Sequence, residues 1–435
     1  MRPVLVGERP VGVHLDVDRS RVQFTIPDSL DSGVRVSELP SGVRVACDNI
    51  ESALSAGFGV WCGVGSRHES HKARGLTHFV EHMLFRGTTS RTAKSVNRLV
   101  DSLGAEFSAY TSRESTVFYM RVPAVALEQA AELFADVICS PRFDSGDFEL
   151  EREVIREELD AAIDTPDDLV IMNLMEACFP GHPLGWETLG TFESLEEINI
   201  ASLRDHHRAN YASSRLVVAG AGAVTPEQLT HFARMLPTHQ VVERRHEEVP
   251  LLESAEVHAH RPIEQLHIAV GFRGPGIHDE DRTAMALLSQ ILGDGPSSRM
   301  YEVIRDSHGL AYSVASSVST YSDTGTLILY AGTRPSKRAT VIGLIDEIIA
   351  DLACNGPTDE EFEVGKGALL GAMMLGADDI GSRMSRVGSS LLTRGSVTPM
   401  STAVSKLIAL RPEDIQRQAQ RIADSPRVIS TVGPS

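Results

Sequence analysis

An internal repeat limits the folds open to this chain. Blocks of sequence recur in the same order in the two halves of its 435 residues: AGFGVWCGVGS resembles LHIAVGFRGPG, and AYTSRESTVFYMRV resembles AYSVASSVSTYSDTGTLILYAG. CSPRFDSGDFELEREV likewise resembles CNGPTDEEFEVGKGAL, which aligns Phe148 with Phe362 at an offset of 214. Such self-similarity indicates repeated structural units. We therefore predict two copies of one unit of about 200 residues.

Each copy mixes patterns typical of strands and of helices, which predicts an α+β fold. The pattern of residues 34–48 predicts two short strands joined by a Pro-Ser-Gly turn, and further strands are expected at 56–66 and 105–122. Helical periodicity covers 75–86 and 91–103, and a long helix pair follows at 124–140 and 145–164. The two homologous halves are expected to form a clamshell-like arrangement.

Composition and charge divide the chain into four predicted regions. These are an N-terminal extension (1–30), a first half (31–238), a linker (239–262) and a second half (263–435). The linker is charged and contains two prolines. Its four histidines could bind a metal, but a solvated linker is the favoured interpretation; they are His239, His246, His258 and His260.

The net charge and the cysteines narrow the partners and the compartment. Forty-one basic against 59 acidic residues give a net charge of −18, which argues against nucleic acid and anionic membranes as main partners. That balance suits basic peptides, although it is also a common aid to solubility. Five cysteines stand far apart, no apolar run reaches the roughly 18 residues of a membrane span, and the N-terminus lacks a signal-peptide core. We expect a cytoplasmic protein.

The segment GLTHFVEHMLF carries the clearest chemical motif. On a helix His78, Glu81 and His82 share one face, because they occupy positions i, i+3 and i+4. Two imidazoles beside a carboxylate suit two zinc ligands and an adjacent general base, in the order called the inverted HxxEH motif. A polar helix face is the plain alternative, and a third ligand would decide between them.

The acidic helix at 147–163 offers that third ligand. Glu151 and Glu158 are seven residues apart and share a face, about 10.5 Å from one another along the axis. They are too far apart for both to coordinate one zinc ion at about 2.0–2.2 Å. One should therefore ligate while the other orients the site, and the spacing does not say which. Solvated positions are predicted for Glu149, Glu153 and Glu157.

These residues and the duplication resemble the pitrilysin/insulysin family of zinc peptidases over about residues 34–430. The nearest subgroup contains short-chain members such as mitochondrial processing peptidase β and its bacterial homologues. HFVEHMLFRGT resembles the first family signature, and a glutamate 76 residues beyond the last histidine resembles the second, since 158 − 82 = 76. The resemblance implies one Zn²⁺ per chain held by His78, His82 and Glu158, with Glu151 as an accompanying catalytic glutamate and Glu81 as the base.

The second half resembles the family in a different motif. IRDSHGLAYSVASS supplies Arg305 and Tyr312, which by resemblance face the zinc and donate hydrogen bonds to the substrate carbonyl. At the 214 offset, Glu151 and Glu158 fall on Gly365 and Ala372, so the second half should lack a metal site.

One departure from the family pattern lies in the predicted strand beside the metal site. FSAYTS has Ser108 where the family usually has asparagine, followed by Ala109. The resemblance implies that a peptide substrate adds as an extra strand along these two residues. The departure bears on substrate preference.

The expected function is therefore that of a zinc metalloendopeptidase that cleaves peptides or unfolded segments inside a closed chamber. Long family members build this chamber from four such units, so a two-unit chain should form a homodimer. The alternative is a non-catalytic structural or recognition subunit of a processing-peptidase-like complex, since the family includes subunits that have lost the motif. A hydrolase that acts on a non-peptide substrate is a third hypothesis.

Overall fold

The computed structural model describes residues 31–211, 215–236 and 247–434. The predicted N-terminal extension lies outside the described residues, as do His239 and His246 of the predicted linker. The described chain mixes helices and sheets in two similar halves, so the predicted α+β fold is confirmed.

The strands of the first half form one mixed sheet. They are β1 (Val34–Glu38), β2 (Arg44–Asn49), β3 (Ser55–Cys62), β4 (Glu106–Thr111), β5 (Thr116–Pro123) and β6 (Leu216–Gly222). Their order within the described residues is β1-β2-β6-β3-β5-β4, with β2 parallel to β6. The central strands β3 and β6 are buried along nearly their whole length, which requires cover on both faces of the sheet.

The second half repeats this sheet. Its strands are β7 (Ala255–His260), β8 (Leu266–Gly274), β9 (Ala311–Thr320), β10 (Gly325–Thr333) and β11 (Arg427–Gly433). Their order β7-β11-β8-β10-β9 matches β2-β6-β3-β5-β4 strand for strand in the described chain. The predicted duplication is therefore present in the fold.

Two sequence-based boundaries need correction. The predicted linker is wrong for 255–260, because β7 pairs there with β11 as an outer strand whose polar side chains face solvent. The single strand predicted over 105–122 is a hairpin of β4 and β5. Its turn lacks glycine and proline and is closed by serines: the Ser112 amide and hydroxyl both donate to the Ser115 carbonyl, at 2.7 and 2.9 Å.

Helices surround both sheets. Those of the first half are α1 (Leu76–Leu84), α2 (Ala93–Ser102), α3 (Leu127–Cys139), α4 (Ser145–Asp164), α5 (Pro166–Cys178), α6 (Phe192–Glu197), α7 (Ile200–Asn210) and α8 (Pro226–Met235). Those of the second half are α9 (Arg282–Gly293), α10 (Arg338–Asn355), α11 (Asp359–Asp378), α12 (Ile380–Arg394), α13 (Met400–Ile408) and α14 (Pro412–Ala423). No helix in the described part of the chain is long and apolar enough to cross a membrane.

The helices α4 and α11 show how closely the halves correspond. Each has 20 residues and begins at a side-chain cap: Asp144 accepts from backbone amides of the first turn of α4, and Thr358 does the same for α11. Phe148 and Phe362 occupy the same position after the cap, and both are buried. The helix that carries the candidate metal glutamates therefore has a counterpart in the second half.

Each half covers the sheet of the other. Helix α12 of the second half packs on the outer face of the first sheet, where Val387 lies in one apolar cluster with Trp61. A side chain at Gly388 would come within 2.5 Å of the Trp61 ring, so glycine permits this close approach. Helix α5 of the first half packs in turn on the second sheet, where Leu174 clusters with Ala269. Neither sheet is fully covered without the other half.

Buried charges also join the halves. Asp48 on β2 is fully buried and accepts a 2.8 Å hydrogen bond from Arg383 on α12. Arg67 contacts Glu114 of its own half at 2.7 Å and Asp323 of the second half at 2.6 Å. Separating the partners of such a pair would leave a buried charge uncompensated. The intact pairs therefore hold the two sheets in a fixed relative position.

Candidate metal centre

Helix α1 holds the motif residues because its two faces differ in polarity. Phe79, Val80, Met83 and Leu84 are fully buried. The Phe79 ring stacks on Phe148 of α4 with a centroid distance of 4.8 Å, which fixes the two helices against each other. His78, Glu81 and His82 lie on the remaining face, as the periodicity predicts.

The first turn of α1 is held by a residue that sequence reasoning missed. The Glu69 carboxylate accepts hydrogen bonds from the backbone amides of Gly75 at 2.8 Å and Thr77 at 2.6 Å. Gly75 has a φ of +86°, and a side chain there would lie 2.7 Å from the Leu189 carbonyl oxygen, so glycine is needed. Burial raises the pKa of Glu69 to about 7 against the effect of these bonds. Glu69 lies six residues before Gly75 and eight before Thr77, and no local capping motif has these spacings.

Three candidate ligand atoms converge where α4 crosses α1. Glu158 Oε2 lies 3.8 Å from His78 Nε2 and 3.5 Å from His82 Nε2. One ligand atom from each residue lies within 4.8 Å of the others, and this is the one such group of three or more in the described chain. Ligands at about 2.0–2.2 Å in a tetrahedral zinc site lie about 3.3–3.6 Å apart. The donor set and its spacing therefore fit a zinc ion.

The pKa values of the two motif histidines are shifted in opposite directions. Burial, reinforced by the charge of His82, lowers the pKa of His78 to about 3, so its imidazole is neutral and has a free lone pair. Burial also opposes charge on His82, but the hydrogen bond to Glu151 and the nearby carboxylates raise its pKa overall. An electron-rich imidazole of this kind is a good metal ligand.

Glu151 lies on the opposite side of His82 from Glu158. Its Oε2 is 2.8 Å from His82 Nδ1, while its Oε1 accepts from the Arg86 side chain. Burial would raise the pKa of Glu151, but the hydrogen bond to His82 and the Arg86 charge lower it overall. The ionised carboxylate directs Nε2 of His82 toward Glu158. Arg86 follows the motif closely, yet nothing in its spacing reveals this contact.

Glu81 is the third motif residue, and it does not belong to the group of candidate ligands found in the described residues. Its side chain is 8% exposed, and Oε2 accepts a hydrogen bond from the hydroxyl of Thr111 on β4. Burial raises the pKa of Glu81, with the Thr111 bond and the charge of His82 opposing it. Glu149, Glu153 and Glu157 are exposed on α4.

The strand β4 is the outer strand of the first sheet in the described chain. Ser108 pairs with Tyr119 and Ala109 with Phe118 of β5, so the other edge of β4 presents unpaired backbone groups. Side chains alternate: Phe107 contacts Phe85 beside α1, whereas Tyr110 bonds to Ser385 of α12. Ser108 shares the face of Tyr110, away from Glu81.

Arg305 and Tyr312 adjoin each other in the second half. The Arg305 guanidinium lies between two rings, 4.4 Å from the centroid of Tyr301 and 5.2 Å from that of Tyr312. The stretch Tyr301–Ser307 is a π-helix, and Tyr312 is 80% exposed at the start of β9. No contact within the described residues joins either side chain to the three candidate ligands. Tyr301 was not anticipated from the sequence.

Comparison with known families identifies the chain. The family model described as insulinase (peptidase family M16) matches residues 44–192, and the model described as peptidase M16 inactive domain matches residues 197–369. The chain belongs to peptidase family M16. This confirms the resemblance to the pitrilysin/insulysin family. The match to the inactive-domain model is consistent with Gly365 and Ala372 of α11, which occupy the positions of the α4 glutamates.

Relatives in the M16 family extend over nearly the whole chain. An uncharacterized zinc protease of Mycobacterium leprae is 34% identical over 93% of this chain and 92% of its own length. An uncharacterized zinc protease of Bacillus subtilis is 31% identical over 91% of this chain and 97% of its own length.

Two solved structures share the fold. The crystal structure of a peptidase M16 inactive domain from Pseudomonas fluorescens has a TM-score of 0.86 at 21% identity, covering 92% of this chain and 98% of its own. A protease from Helicobacter pylori has a TM-score of 0.84 at 19% identity, covering 92% and 99%. The fold of this chain, with both of its halves, therefore resembles that of solved structures.

Proposed function

We propose that this M16 protein is a zinc metalloendopeptidase that cleaves peptides or unfolded segments. The observation that carries the proposal is the convergence of His78 Nε2, His82 Nε2 and Glu158 Oε2 beside the buried carboxylate of Glu81. The zinc-protease names of full-length relatives support it. The proposal includes one zinc ion per chain, which the single group of candidate ligands in the described residues supports.

The residues of the chain divide the chemistry among them. When bound, Zn²⁺ would activate water and polarise the scissile carbonyl. Glu81 takes a proton from the attacking water on its Oε1, because Oε2 is occupied by the Thr111 hydroxyl. It then passes this proton to the nitrogen of the leaving amine. The hydroxyl of the water ends on the carboxyl product and its proton on the amine product. Glu151, supported by Arg86, holds the ring of His82 in place.

The substrate is held as an added strand. The free edge of β4 offers backbone hydrogen bonds to an extended peptide beside Ser108 and Ala109. Backbone pairing needs no particular substrate side chain, so it suits unfolded segments of varied sequence. A segment of a folded protein would have to leave its own structure before it could pair along this edge, so folded proteins should be poor substrates.

The location we propose is the cytoplasm. All five cysteines are free in the structure, and three of them are buried. Thiols kept in this form suit a reducing compartment.

The function is tested by metal content and by turnover together. We expect one zinc per chain, cleavage of an unstructured fluorogenic peptide, loss of cleavage with a chelator, and recovery when zinc is returned. The same peptide sequence constrained within a folded domain should resist. A zinc-loaded protein that cleaves no peptide, alone or with a partner subunit, would favour the non-catalytic structural role instead.

The active site is further proposed to be shared between two chains. Arg305 and Tyr312 contact none of the candidate ligands within the described chain, yet the exposed Tyr312 is a hydrogen-bond donor. In a C2 homodimer that closes a chamber, this pair would serve the zinc site of the other subunit and stabilise the oxyanion. The chain carries both sets of residues, so it needs no foreign subunit.

Subunit mixing tests the shared site. We expect Glu81→Gln and Tyr312→Phe proteins to be nearly inactive separately, and their equimolar mixture to recover about a quarter of wild-type activity after exchange. Random exchange makes half of the dimers mixed, and each mixed dimer has one intact site of two. Exchange is followed by fluorescence transfer between labelled subunits, and Glu81→Gln mixed with itself is the control. A monomer by light scattering, or exchange without recovery, would contradict the shared site.

A further inference from the structure

The contact between Glu81 and Thr111 joins two elements of the site that have separate tasks. Glu81 lies on the metal helix α1, whereas Thr111 is the last residue of the edge strand β4. Thr111 supplies the one hydrogen bond that the Glu81 carboxylate accepts from the described residues, through Oγ1 to Oε2. A buried carboxylate that lost this partner would be left without compensation.

The backbone that carries the Thr111 hydroxyl is fixed by its neighbours. Thr111 pairs with Thr116 in the β4–β5 ladder, and the turn that follows is closed by hydrogen bonds between Ser112 and Ser115. The Ser112 carbonyl also accepts from the amide of Ser66, at 3.2 Å. The next residues of the turn are tied to Arg67 and, through Glu114, to Ser322 of the second half. The donor therefore stands on backbone that is fixed from several directions.

The carboxylate of Glu81 is separated from its backbone by more rotatable bonds than the Thr111 hydroxyl is. A glutamate side chain has three rotatable bonds, and this one projects from a helix toward the ligand group. Without a fixed donor, the carboxylate could turn toward the imidazoles and away from the attacking water.

We propose that Thr111 is the positioning residue of the general base: its hydroxyl holds Oε2 of Glu81 so that Oε1 faces the attacking water. This inference rests on the proposed peptidase function and adds a residue to it. Because β4 also carries the edge along which the peptide pairs, one strand sets the positions of both the substrate backbone and the base. The position of the scissile bond relative to Glu81 is then set by contacts that α1 and the substrate both make with β4.

Substitutions that separate the hydroxyl from the shape of the side chain test this role. Thr111→Val keeps the branched shape and removes the donor, whereas Thr111→Ser keeps the donor. We expect Thr111→Val to retain zinc and to lower kcat about 10–100-fold with KM within about twofold. Thr111→Ser should remain within a few-fold of wild type. Thr320→Val is the matched control, because Thr320 ends the edge strand β9 of the second sheet.

A double variant shows whether the effect passes through Glu81. Adding Thr111→Val to Glu81→Gln should cost no further activity, because the base that Thr111 positions is already gone. A wild-type kcat in Thr111→Val, a change in KM alone, equal losses in the Ser and Val variants, or additive losses in the double variant would each overturn the proposal. If valine lowers the melting temperature, Thr111→Ala provides the same comparison.

The outcomes separate this inference from the function on which it rests. A zinc-loaded wild-type protein without peptidase activity contradicts the proposed function. An active wild type with an inactive Glu81→Gln variant and a fully active Thr111→Val variant contradicts the role of Thr111 alone.

Discussion

Glu81→Gln protein is expected to bind zinc as tightly as wild type and to cleave peptide about 10³–10⁴-fold more slowly. Glutamine keeps the size of the side chain, and its carbonyl oxygen can still accept the hydrogen bond from Thr111. It cannot take a proton from water, so the chemical step loses its base. The ligand atoms of His78, His82 and Glu158 are unchanged.

Metal analysis and single-turnover cleavage of a fluorogenic peptide measure the two halves of this prediction. Glu157→Gln is the matched control, because Glu157 is an exposed glutamate beside Glu158 on α4 and its loss changes the net charge equally. Loss of zinc from the Glu81 variant would mean that Glu81 is a ligand. Activity above about one tenth of wild type would mean that another group is the base.

The second large effect is expected at Glu158. Glu158→Gln should lower zinc affinity by more than the about 10–100-fold expected for Glu151→Gln, because it removes a charged oxygen that approaches both imidazoles at 3.5 and 3.8 Å. Glu151 acts on His82 through Nδ1, so its loss disturbs the ring without removing a ligand. Glutamine at 151 would also present its amide to one neighbouring donor.

Competition with a chelator of known affinity, at one fixed pH, ranks the variants. Glu153→Gln on the exposed face of α4 is the control and should bind zinc as wild type does. If Glu151→Gln loses zinc more completely than Glu158→Gln, the assignment of the third ligand is reversed. Equal losses would point to a shared role for the two carboxylates.

Much of the fold and of the motif face could be predicted because the relevant signals are local or repeated. Helical spacing alone puts His78, Glu81 and His82 on one face, and recurring blocks reveal the duplication. Spacing alone leaves the choice between Glu151 and Glu158 open, because it depends on where α4 crosses α1, and only the family resemblance favours Glu158. That crossing is set by packing such as the stack of Phe79 on Phe148, which no spacing encodes.

The residues that sequence reasoning missed have partners at spacings that no local motif marks. Glu69 caps a helix that it precedes by a loop, Thr111 reaches Glu81 from a different element, and Arg86 bonds to α4. Each is an ordinary polar residue until the tertiary structure brings its partner near. The strand β7 was missed for a related reason, since its polar alternation is equally typical of a solvated linker.

Helix α5 of the first half covers the second sheet, and helix α12 of the second half covers the first sheet. This arrangement explains why the half without metal ligands is needed for the fold. If the second half were deleted, α12 would leave the first sheet and expose the face around Trp61; if the first were deleted, α5 would leave the second sheet and expose the face around Ala269. The copy without metal ligands therefore keeps a structural task, because deleting it would expose an apolar face of the sheet that carries the candidate metal centre. Either half expressed alone would carry an exposed apolar sheet face, and we expect it to aggregate unless the other half is supplied.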